Sequence, residues 1–112
     1  MHNNPLEYLK HIRDECKYLI SVVGDDLNKD DFLENETLKR AVVRSLEIIG
    51  EATKKIPADF KSKHPSVQWK NMAGMRDRLI HDYLGVDYFI VWDVLKNKIP
   101  ELYHQVSQVL ED

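Results

Sequence analysis

The stretch from Met75 to Tyr83 reads MRDRLIHDY, and it places two arginines, two aspartates, a histidine and a tyrosine in a segment that otherwise has a helical pattern. On a continuous α-helix of about 3.6 residues per turn, Arg76 and Tyr83 lie nearly in line, whereas His81 lies about 140° around the axis from Arg76. One such helix cannot direct Arg76 and His81 at a single point. Two copies facing each other can each contribute an arginine and a histidine to a shared cleft, so the spacing predicts a homodimer.

Apolar residues recur every three or four positions on both sides of this stretch, as they do in amphipathic helices. Capping residues, glycines and prolines delimit the helical segments. The predicted helices run from Asn4 to Gly24, from Glu36 to Ile56, from Ser66 or Val67 to Gly85, from Asp87 onward and from Pro100 to the end. Between them, residues 25–35 are predicted to be a connection with a short turn of helix, and residues 57–65 a lysine-rich connection with Phe60 buried. No strand alternation is visible, so the predicted fold is an all-α, up-and-down bundle of four to five helices.

Two glycines lie inside predicted helices, Gly50 in the second and Gly74 in the third. A glycine costs a helix about 1 kcal/mol relative to alanine. We therefore expect a neighbouring helix to pack closely at each of them.

The length of 112 residues predicts a single domain, residues 1–112. No apolar run approaches the roughly 20 residues that span a bilayer, and no signal-peptide pattern is present, so we expect a cytoplasmic protein without membrane contact. The lone cysteine, Cys16, cannot form an internal disulfide and is expected to be a small core residue.

Charge is distributed unevenly along the chain, whose formal net charge is -3. Between Thr53 and His81 the acids are Asp59 and Asp77, and the basic residues are Lys54, Lys55, Lys61, Lys63, Lys70, Arg76 and Arg78. A basic segment of this kind favours attraction to phosphate, although the same lysines could equally serve to solvate a loop.

The residue types of the Met75–Tyr83 stretch suit cleavage of RNA without a metal or other cofactor. Histidine titrates near neutrality and can act as base or acid, and arginine can hold two phosphate oxygens while keeping its charge. The five histidines show no metal-ligand spacing, such as two histidines four residues apart on a helix. Structural roles remain open: His81 as a helix-end residue bonded to backbone, Tyr83 as a packed aromatic, and Glu51 as either an orienting carboxylate or an exposed partner of Lys55.

The segment from Arg76 to Tyr83 resembles the Arg-x4-His-x-Tyr signature of HepT-like toxins, within the HEPN class of helical ribonucleases. The resemblance covers essentially the whole chain and includes Ile48–Ala52, Trp69, Gly74–Arg76, Gly85–Asp87 and Ile90–Trp92. The one departure is Asp77, where many members of the family have asparagine.

This resemblance implies an endoribonuclease toxin of a toxin-antitoxin pair, acting on tRNA or mRNA as a homodimer with both motifs in one cleft. Arg76 would bind and stabilise the phosphate, and His81 would be the acid-base catalyst. Tyr83 would be the hydroxyl to which a partner nucleotidyltransferase antitoxin of the MNT type adds AMP. Asp77 and Glu51 would support the site, Asp77 by orienting Arg76.

A function of a different class is also open, namely a non-catalytic helical adaptor that binds a nucleotide through Arg76 and His81 and partners a nucleotidyltransferase. A purely structural bundle would leave the charged cluster without a purpose.

Overall fold

The computed structural model describes residues 4–81 and 85–111, and its first helix, α1 (Pro5–Val23), has the predicted bounds. The Asn4 side chain accepts a hydrogen bond of 3.0 Å from the Leu6 N–H, and Pro5 occupies the first helical position, where a missing N–H costs nothing. At the other end Gly24 adopts a positive φ of 50°. The predicted apolar stripe is buried at Leu9, Ile12, Cys16 and Leu19.

The next two helices are α2 (Lys29–Glu34) and α3 (Glu36–Lys54). Each begins at an asparagine whose side chain accepts a backbone N–H, Asn28 at 2.9 Å and Asn35 at 3.0 Å. The short α2 confirms the turn of helix predicted between residues 25 and 35, and α3 confirms the second long helix.

The lysine-rich connection is more ordered than predicted, because it contains a helix, α4 (Ala58–Lys63). The indole N–H of Trp69 fixes the end of α4 by donating to the carbonyl oxygens of Lys61 at 3.1 Å and His64 at 2.9 Å. Phe60 is only partly buried and lies against the His64 ring, with ring centroids 4.6 Å apart.

The predicted third helix is wrong in its continuity and in its end. The chain forms α5 (Trp69–Ala73) and α6 (Met75–Leu79), interrupted at Gly74, and then a two-residue strand, β1 (Ile80–His81). This strand pairs antiparallel with β2 (Gly85–Val86), so the expectation of no strand also fails here. The ladder depends on Gly85, whose φ of 91° is readily adopted only by glycine.

Gly50 lies in the close helix contact expected of it. A Cβ atom added to Gly50 would be 3.4 Å from the carbonyl oxygen of Met72 and 3.8 Å from that of Ala73. The backbone of α3 therefore approaches the end of α5, immediately before the break that starts α6.

The last predicted segment begins within one residue of Pro100, but no break precedes it. The chain runs without interruption through α7 (Tyr88–Asp93), a π-helical turn (Val94–Lys98) and α8 (Ile99–Glu111). In an α-helix the proline ring would clash with the carbonyl group four residues earlier. The helical turn just before Pro100 is wider than an α-helical turn, because the Ile99 N–H bonds to the Val94 oxygen five residues back.

The helices enclose one core, in which α1 packs against α3 and α8, and α3 also contacts α5 and α6. This confirms the predicted all-α bundle, with the four-residue β ladder as its addition. Within residues 4–81 and 85–111, no helix has the length and apolarity needed to cross a membrane.

Candidate active site

The exposed surface of α6 is formed by Arg76, Asp77 and Arg78, while Met75 and Leu79 at its two ends are buried. Successive positions on a helix are about 100° apart, so Asp77 lies in the middle of this surface and the two arginines lie on its two flanks. The two buried ends hold α6 against the core and leave the charged residues available to a ligand.

Arg76 points toward α3, where its Nε atom lies 3.4 Å from Oε2 of Glu47. Its Nη1 atom is 4.0 Å from Oδ1 of Asp77, at the outer limit of an ion pair. The Arg76 side chain is 52% exposed and that of Glu47 23% exposed, so the pair lies at the surface and Arg76 is accessible to solvent. Arg76 is thus oriented by a carboxylate and still accessible to a phosphate.

Glu47 was not among the residues predicted for the site. The supporting carboxylate expected from the sequence was Glu51, one turn later on α3, whose Oε1 atom lies 3.8 Å from Nη1 of Arg44 on the same helix. Glu47 is three residues before Gly50 and thus on the helix face that meets α5 and α6. That spacing is the signal by which the sequence could have identified it.

His81 lies in β1, with its backbone opposite Gly85 in the ladder. Since α6 ends at Leu79, the 140° angle between Arg76 and His81 on a continuous helix does not apply, and the spacing no longer predicts a dimer. The catalytic role of His81 stays a prediction. Tyr83 lies outside the described residues, and so does its predicted modification.

The basic segment that leads to this site is carried on helices rather than in a loop. Lys54 ends α3, Lys63 ends α4 and Lys70 lies in α5, and all three are exposed. Their charges are therefore available to attract a polyanion.

Cys16 is excluded as a nucleophile by its position in the core. Burial raises the pKa of its thiol to about 12, with a smaller contribution from the charge of Glu15. The thiolate needed for reaction or metal binding is therefore scarce at neutral pH. Within the described part of the chain, no group of three His, Cys, Asp or Glu side chains could hold a metal ion.

Comparison with known proteins identifies the family. The family model described as ribonuclease HepT-like matches residues 6–109. The chain belongs to the HepT-like ribonuclease family. This confirms the resemblance seen in the Arg76–Tyr83 segment, and with it the assignment to a family of ribonucleases.

The names of relatives of this HepT-like chain also describe ribonucleases. A "Putative RNase" of Caldanaerobacter subterraneus subsp. tengcongensis is 50% identical over 96% of this chain and 95% of its own length. A "Probable ribonuclease HepT" of Thermococcus cleftensis is 46% identical over 86% of each chain. A "Putative RNase" of Methanocaldococcus jannaschii is 42% identical over 94% of this chain and 86% of its own. No solved structure matches this HepT-like chain.

Proposed function

We propose that this HepT-like chain is a metal-independent endoribonuclease toxin in which Arg76 binds the scissile phosphate and His81 transfers protons. The observation that carries the proposal is the exposed guanidinium of Arg76, held 3.4 Å from Glu47 in a member of a ribonuclease family. An arginine aligned in this way needs little reordering to stabilise the charge of a phosphorane-like transition state.

The reaction requires a base and an acid. The base removes the proton of the ribose 2′-hydroxyl, the 2′-oxygen attacks phosphorus, and the acid protonates the departing 5′-oxygen to leave a 2′,3′-cyclic phosphate. One His81 in each of two chains supplies both groups. This need for two proton-transfer groups supports a cleft shared across a homodimer, in place of the argument from a continuous helix.

Control of the toxin is proposed to occur at Tyr83, through AMP added by a nucleotidyltransferase antitoxin. Each added nucleotide carries bulk and negative charge into the cleft. Both oppose the binding of RNA phosphates beside Arg76.

Cleavage of labelled tRNA and mRNA in EDTA tests the catalytic assignment. We expect Arg76→Ala and His81→Ala each to lower the rate by about 100-fold or more. The matched controls are Arg40→Ala on α3 and His104→Ala on α8, both exposed, which should leave the rate unchanged. Equal rates for all four variants would remove the assignment, and nucleotide binding without any cleavage would favour the adaptor function.

Dilution tests the shared cleft. The molar mass and the cleavage rate per chain should fall together as the protein is diluted below the dissociation constant of the dimer. A monomer with full activity per chain would contradict a site built from two copies.

Mass spectrometry after co-expression with a nucleotidyltransferase antitoxin tests Tyr83. Added AMP should be lost in Tyr83→Phe and kept in Tyr18→Phe, a control at an exposed tyrosine of α1. Neutralisation of an unmodified toxin would instead indicate inhibition by complex formation.

A further inference from the structure

A cavity lies beside α6, on the flank that Arg78 occupies. It is a cavity of about 130 Å³ between α5 and α6 on one side and the π-helical turn and α8 on the other. A cavity of roughly 150 Å³ in another protein holds one benzene molecule. The space is therefore of the right size for one six-membered ring, so a two-ring base can enter it only by that ring.

The floor of this cavity is apolar and its rim is polar. The floor consists of Met72, Met75, Leu79, Val94 and Leu102, and the rim of Gln68, Asn71, Arg78, Lys98, Glu101 and Gln105. Methionine and aliphatic side chains offer a polarisable surface on which an aromatic ring packs well. The polar rim can then bond to the polar edge of that ring.

The rim is ordered by side-chain hydrogen bonds that converge on Glu101. Its Oε1 atom accepts from the side-chain amides of Gln68 and Gln105, the latter at 3.3 Å, and Asn71 donates to Gln68 at 3.1 Å. Within the described residues no protein donor bonds to Oε2 of Glu101. A carboxylate fixed through one oxygen is thus ready to accept hydrogen bonds from a ligand.

We infer that this cavity is a base-recognition pocket for guanine in the RNA, an inference that rests on the proposed ribonuclease function. Guanine has two neighbouring donors on one edge, N1–H and the 2-amino group, and Oε2 of Glu101 can accept from that edge. Beside them its O6 atom is an acceptor, which suits the ammonium of Lys98 or the guanidinium of Arg78. Bases of single-stranded RNA are commonly read in this way, through their Watson–Crick edge with a packed ring face.

The location of the pocket relative to Arg76 suits a single RNA strand. Arg76 and Arg78 lie on the two flanks of the exposed surface of α6, Arg76 toward α3 and Arg78 at the pocket. A strand that crosses α6 can place its scissile phosphate at Arg76 and a nearby base in the pocket. The apolar floor disfavours a phosphate as the occupant, because burial of a charge without compensation is costly.

Binding of the four nucleoside 5′-monophosphates tests the pocket without cleavage, since they contain no phosphodiester bond to cut. Titration followed by NMR or calorimetry should show GMP bound at least about tenfold more tightly than AMP, CMP and UMP. Glu101→Gln should remove that preference, whereas Glu111→Gln, at an exposed carboxylate of the same helix, should keep it. Equal binding of all four nucleotides, or equally tight binding of inorganic phosphate, would overturn the inference.

Cleavage of RNA adds an independent readout. Cuts by the unaltered protein should lie at a fixed distance from a guanine and weaken where inosine, which lacks the 2-amino group, replaces it. Glu101→Gln should cut with less selectivity. Cuts without base preference, together with no preference for GMP, would refute the pocket alone, whereas Glu101-dependent GMP binding by a protein that cuts no RNA would refute the proposed function alone.

Discussion

Substitution of Gly50 probes the close contact between α3 and the end of α5. The backbone of α5 is so near that a Cβ at Gly50 would already be in van der Waals contact, 3.4 Å from the Met72 carbonyl oxygen. Gly50→Ala just fills this space and gains up to about 1 kcal/mol of helix propensity. Gly50→Val adds two methyl groups at a buried position, and overpacking of this kind costs about 1–3 kcal/mol. The two substitutions are thus expected to change stability in opposite directions.

Thermal and urea unfolding followed by circular dichroism measure both effects, at one protein concentration so that any dimerisation is held constant. For a chain of this size, 1 kcal/mol corresponds to about 4–8 °C in Tm. Arg40→Val, at an exposed position of the same helix, measures the intrinsic cost of valine in α3. A Gly50→Val protein as stable as Gly50→Ala would refute the close approach of α3 and α5.

Three further outcomes are expected. Because burial raises the pKa of Cys16 to about 12 while the unfolded thiol ionises near pH 9, the unfolded state binds fewer protons between these values. Stability should therefore fall as pH rises above 9, by about 1.4 kcal/mol per pH unit from this group, and urea unfolding of Cys16→Ala should lack that part of the slope. Trp69→Phe removes the donor that serves the carbonyl groups of Lys61 and His64, and should cost about 1–3 kcal/mol in the same assay. Asp87→Ala removes the cap that accepts the Phe89 and Ile90 N–H groups and should cost about 1 kcal/mol, whereas Asp87→Asn should retain most of it.

The sequence predicts the long helices α1 and α3 well, because their signals are local. Asn4 with Pro5 begins one helix, Gly24 ends it, and Pro57 follows the other. Each device acts through its own backbone groups and needs no distant partner. Local rules also predict that a new segment begins at Pro100, because proline disrupts a helix interior. They do not reveal the π-helical turn that lets the chain continue through Pro100 without a break.

The sequence singles out candidate site residues by their chemistry, but it does not give their geometry. Arg76 and His81 stand out by type and spacing, but the spacing was interpreted on a helix that ends two residues before His81. The β ladder that replaces the helix requires Gly85 to approach from further along the chain. The spacing of Glu47 from Gly50 indicates the helix face on which it lies, but its pairing with Arg76 depends on how α3 and α6 meet in space.

The end of α6 at Leu79 changes what the Arg-x4-His spacing can mean. In one continuous helix the two side chains would be held at a fixed angle by the same backbone hydrogen bonds. Here Arg76 is positioned by α3 through Glu47, and the His81 backbone by the ladder with Gly85, so the two groups have separate supports. It follows that a change at Glu47 should alter the binding of the phosphate by Arg76 and leave the backbone position of His81, the proposed catalytic residue, unchanged. Glu47→Gln is therefore expected to change KM and leave the pH profile of kcat in place, whereas a shift of that profile would mean that both groups depend on one support.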